Sequence, residues 1–62
     1  MSVAPRLTES KVRINEYTVV VSAGAEDGVT EGDEVMVPVD GEKIVGTTTQ
    51  VGRHESVVEL RI

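Results

Sequence analysis

The chain reads as a small all-β protein: a five- to six-stranded antiparallel barrel or strongly bent sheet with one long, glycine-rich structured loop. Three observations predict this. Valine dominates the aliphatic residues, and β-branched side chains suit a pleated surface. Runs of period two recur between short turn signals such as Asp40-Gly41. The segment from Gly24 to Asp33, with glycines at every fourth position and an Asp27-Gly28 pair, separates two β-runs and carries no helical pattern.

The elements follow in order. Residues 1–10 read as a loose arm or a short edge strand, and residues 11–62 as a single barrel domain. Lys11-Val12-Arg13-Ile14 alternates polar and apolar, the pattern of a half-buried strand. Asn15-Glu16 fits a tight hairpin turn. Tyr17 to Ala23 has the strongest β-propensity, and Val19-Val20-Val21 places apolar groups on both faces, which predicts a central or doubly covered strand. In the loop, Gly24, Gly28 and Gly32 serve chain reversal, and Val29, the one Val, Leu or Ile residue between Gly24 and Asp33, is expected to plug the barrel end. From Glu34 to Val39, Val35, Val37 and Val39 share one face and Met36 takes the other, while Pro38 confines the strand to an edge or ends it. Asp40-Gly41 predicts a type I′ hairpin. Lys43 to Val51 returns, with Gly46 read as a bulge or sharp bend that curls the sheet. After a turn at Gly52-Arg53-His54-Glu55, the last strand is expected to point Val58, Leu60 and Ile62 inward and Val57, Glu59 and Arg61 outward.

Composition narrows the function classes. A chain of 62 residues buries only ~60% of the surface its unfolded form exposes. With no Phe or Trp and Tyr17 the sole aromatic residue, the core is shallow, and small scaffolds without staples often self-associate. A homo-oligomer or another protein partner is therefore expected. The absence of cysteine removes disulfides, thiolate metal sites and thiol nucleophiles. Eleven acidic against six basic residues give a net charge of −5, which disfavours nucleic acid and anionic membranes as partners. The same acidic, lysine-poor composition fits adaptation to high salt. No signal-peptide pattern or membrane-length apolar run occurs, so the expected location is cytoplasmic.

Candidate chemistry is sparse. The acids Glu26, Asp27, Glu31, Asp33 and Glu34 lack the alternating spacing of an EF-hand, and Asp27 and Asp33 are expected to bond nearby backbone amides as turn residues do. His54, the only histidine, has no ligand or triad companion in the sequence and reads as a surface turn residue. Ser10, Ser22 and Ser56 stand in no nucleophile-elbow context. Gly24, Gly28 and Gly32 lack the Gly-Lys-Ser/Thr end and following helix of a phosphate loop. No cofactor, metal or catalytic residue is expected. The binding candidates are Arg13, Tyr17, Arg53, His54 and Arg61. The polar run Thr47-Thr48-Thr49-Gln50 is read as a solvent face, with an edge open to strand addition as the alternative.

Across residues 17–62, the succession Gly24-x-x-x-Gly28-Val29-x-x-Gly32-Asp33, then Gly41 and Gly46, then Ser56-x-Val58-x-Leu60, resembles the β-barrel repeat of the MreC family and the C-terminal domain of the FlgT family. The resemblance implies a compact barrel capped by Gly28-Val29 and a role in protein contacts and assembly rather than catalysis. Gly32-Asp33-Glu34-Val35-Met36-Val37 with Gly41 and Gly46 is also similar to the KOW element. Tyr17 to Val21 with Gly32 to Val35 is similar to the TRAM domain. Those two likenesses imply RNA binding through basic loops, which this acidic chain does not carry.

Overall fold

The computed structural model describes residues 6–62. Six strands, β1 (Arg6–Leu7), β2 (Ser10–Arg13), β3 (Thr18–Val21), β4 (Glu34–Val39), β5 (Glu42–Val51) and β6 (Ser56–Leu60), form one sheet in the order β1-β4-β5-β6-β3-β2. Every pairing is antiparallel except β1 with β4, which is parallel, so the sheet is mixed. The exception follows from chain direction: β1 enters beside the strand that leaves the long loop, and no hairpin joins the two.

Connectivity forces the sheet to curl. The two outermost strands, β1 and β2, are separated only by Thr8 and Glu9. Six flat strands would hold their edges about 24 Å apart, at about 4.8 Å per step. The link from Leu7 to Ser10 reaches at most about 11 Å. The sheet therefore bends into a half-barrel. The linking residues bond to both sides of the seam: Thr8 donates its N–H to the Met36 carbonyl at 2.8 Å, and the Glu9 carbonyl accepts from Ser22 N–H at 3.3 Å. Pro38 stops the ladder between β1 and β4. Alternate residues of a strand bond toward the same edge, so the next N–H after Met36 to face β1 would belong to residue 38, and proline has none.

The core is aliphatic and lies in the concave side: Val19, Val21, Val35, Val37, Val58 and Leu60, with Val39 and Ile44 packed against it. Val29 is also buried, as a plug should be. The Asp40-Gly41 turn has φ of 49° and 83°, positive at both central positions, which defines the predicted type I′ hairpin.

Four local expectations need correction. β2 is exposed along its whole length rather than half-buried, with Val12 55% accessible and Ile14, just past its end, 58%, because nothing packs over this outermost strand. Ile62 is 72% exposed, lying beyond the last paired residue of β6, so alternation no longer directs it inward. The bulge lies between Thr48 and Gln50, not at Gly46. Gly46 answers a different need: a Cβ there would come within 2.5 Å of Val58 Cγ1 and 2.9 Å of the Glu59 carbonyl, so only glycine lets β5 and β6 approach. Finally, Thr47 and Thr48 are no sheet edge, since Thr47 pairs with β4 and β6 and buried Thr48 with Asp33 and β6, whereas exposed Thr49 and Gln50 have only β6 beside them. Val19-Val20-Val21 is central as expected, although its cover is one-sided: Val19 and Val21 are buried and Val20 half-buried.

Candidate functional site: the loop end and the outer face

The long loop is pinned rather than open. A single 3₁₀ turn spans Ala25–Asp27 and docks on the turn between β5 and β6, with Ala25 N–H donating to the Gly52 carbonyl at 2.8 Å and Glu26 N–H to the Arg53 carbonyl at 3.1 Å. Ser56 Oγ, buried, donates to the Ala23 carbonyl at 2.6 Å. Gly24 sits where a Cβ would meet Gly52, Arg53 and Glu55 backbone, including Glu55 N at 2.6 Å. Gly28 and Gly32 both have positive φ, 86° and 92°.

Asp27 and Asp33 take the turn roles expected of them. Asp27 Oδ2 accepts from Gly24 N–H at 3.0 Å, and Asp33 Oδ2 from Thr30 N–H at 2.9 Å. Each carboxylate caps the backbone three residues earlier. No group of three or more His, Asp or Glu side chains converges to hold a metal ion among the described residues.

The candidate binding residues do not gather. Arg13 turns back on its own hairpin, with Nε donating to the Asn15 carbonyl at 3.2 Å and Nη2 to the Glu16 carbonyl at 2.8 Å. Arg61 Nη2 pairs with Glu34 Oε2 at 2.7 Å. His54 Nδ1 lies 3.1 Å from Glu26 Oε2, both side chains exposed, which ties the β5–β6 turn to the 3₁₀ turn. Arg53 is exposed in that same turn and lends its carbonyl to Glu26. Tyr17 is half-exposed beside the hairpin, its N–H bonded to Asn15 Oδ1 at 3.0 Å and its carbonyl accepting from Leu60 N–H at 2.6 Å.

What sequence reading missed is the outer face. Residues opposite one another in a ladder share a face, so register lays out three outward rows about 7 Å apart. One row is Leu7–Met36–Val45, continued by Arg61, whose N–H bonds the Val45 carbonyl. The next is Glu34–Thr47–Glu59–Thr18. The third is Gln50–Val57–Val20–Val12. Two largely apolar rows thus flank a polar one. Val20, Met36, Val45 and Val57 are half-buried, while Leu7 and Val12 are more than half exposed. A cleft of about 260 Å³, lined by Val20, Gln50, Val51, Gly52, Glu55, Ser56 and Val57, opens at the end of the third row. A long ion pair, Lys11 Nζ to Glu55 Oε2 at 3.9 Å, stands beside it. Outward Val57 and Met36 were visible from alternation alone; that apolar residues of distant strands stand beside them was not.

Comparison with protein-family models, with curated proteins and with solved structures found no match. Among the described residues no helix is long and apolar enough to cross a membrane.

Proposed function

We propose that this chain is a non-catalytic β-barrel module that binds protein, as a partner in assembly, through the outer face of its sheet. One observation carries the reading: apolar side chains from all six strands stand in register on the face that water reaches, when the core already has its own valines and leucine. Contiguous apolar surface on a small soluble domain marks contact sites. The acidic balance and the resemblance to barrel assembly modules agree with it. Self-association is one form of the role and capture of a foreign chain the other; both are proposed for the cytoplasm.

Sedimentation velocity over a wide concentration range, combined with affinity capture, tests the proposal. The expected result is reversible association or a stoichiometric complex that the paired substitution Val20→Lys, Val57→Lys abolishes. A strict monomer that captures nothing would sink it. The rival reading, a nucleic-acid-binding barrel, requires the arginines to converge on one face. Arg13 is instead held by its own turn and Arg61 by Glu34. Titration with labelled RNA and DNA at several salt concentrations separates the two, since phosphate contacts weaken steeply with salt.

A further inference from the structure

The middle row of the outer face has a distinctive charge arrangement. Of its two carboxylates, Glu34 is held by Arg61 at 2.7 Å. Glu59 forms no ion pair among the described residues and stands between Thr18 and Thr47. The remaining cations near this face are placed elsewhere: Lys11 pairs with Glu55, and Lys43, opposite Pro38, lies two rows away from Glu59. Along its own chain Glu59 therefore lies between outward Val57 and outward Arg61, with Val20 diagonal to it on one side and Val45, opposite Arg61, diagonal on the other.

We propose that this face receives a protein segment presenting an arginine or lysine between apolar side chains, with the cation on Glu59 and the apolar groups on the two flanking rows. The inference rests on the protein-binding reading and names its partner chemistry. A second copy fits less well. It would bring another −5 chain onto this face. The chain's net negative charge favours approach of a cationic segment for the same reason. The short, exposed β2 edge is not the docking element: it carries Lys11, Arg13 and a register shift, devices that discourage strand addition.

Selection from a phage-displayed library of random dodecapeptides on the immobilised protein tests this. Enriched peptides should carry arginine or lysine flanked by aliphatic or aromatic residues. They should bind about two- to fivefold more weakly to Glu59→Gln, the range of an exposed ion pair, and shift the amide resonances of Val20, Thr47, Val57 and Glu59. Glu59→Lys should select acidic peptides instead; both variants alter an exposed side chain, and circular dichroism checks that they fold. Enrichment of peptides lacking a cation, or indifference to Glu59→Gln, would overturn the proposed partner chemistry while leaving protein binding at this face intact. Failure to enrich any peptide, or tighter binding of a dodecamer of oligouridylate, would also overturn it; sedimentation then judges the broader reading independently.

Discussion

Replacing Gly24 by alanine probes how the long loop is fixed. The added Cβ meets backbone, not a flexible side-chain tip: Glu55 N at 2.6 Å and Arg53 C at 2.7 Å, with the Gly52 carbonyl also in its path. Something must move, and the loop's docking bonds from Ala25 and Glu26 run through those same residues. Two hydrogen bonds at about 1 kcal/mol each, and partial exposure of Val29 at about 1–2 kcal/mol, give a loss of about 3–4 kcal/mol. A domain of this size has a total stability of about 3–9 kcal/mol. Gly32→Ala is the control, because its Cβ meets nothing within 4 Å and only the positive φ of 92° opposes it. That costs about 1–2 kcal/mol. Urea unfolding followed by far-UV circular dichroism compares the two variants. With a slope of about 1 kcal/mol per molar urea, Gly24→Ala should lower the midpoint by about 3 M or leave the chain unfolded in water. Equal destabilisation by the two substitutions would refute close backbone approach as the reason for Gly24.

Other substitutions have definite expected outcomes. Thr48 is 1% exposed and its hydroxyl has no hydrogen-bond partner, so Thr48→Val should raise stability by about 1 kcal/mol, read from the same urea curves; a loss would mean that the hydroxyl is satisfied. Ser56→Ala removes the buried bond to the Ala23 carbonyl and should cost about 1–3 kcal/mol, with faster amide exchange in the loop. Asp27→Ala, which uncaps Gly24, should cost about 1 kcal/mol, whereas Glu31→Ala on the same loop should leave the midpoint unchanged. If the acidic composition reflects salt adaptation, the thermal midpoint should rise from low salt to molar potassium chloride; a flat response would contradict that reading.

Much of the fold was legible because local chemistry speaks directly to it. Asp40-Gly41 demanded positive φ twice, and the valine alternation of β4 named its buried face. Asp27 and Asp33 read correctly as turn carboxylates, since each partner lies three residues away. The failures share a cause: alternation reports a period but not what covers each face. Val12 and Ile14 alternate like core residues yet lie on and just past the outermost strand, and Ile62 continues a pattern past the last paired residue. Gly46 illustrates a second ambiguity, because a bulge and a close backbone approach leave the same glycine. The parallel β1–β4 pair and the rows of the outer face depend on long-range register, which no short window encodes. For the same reason the candidate binding residues were chosen by type, and Arg13 and Arg61 proved to be engaged by their neighbours.

The central claim, that the outer face binds protein, meets its most direct test in sedimentation and capture by the paired variant Val20→Lys, Val57→Lys, beside the unaltered protein. Both side chains are half-buried on that face. The account predicts an unchanged circular dichroism spectrum with association and capture abolished. A variant that folds and still associates or captures as before would contradict it.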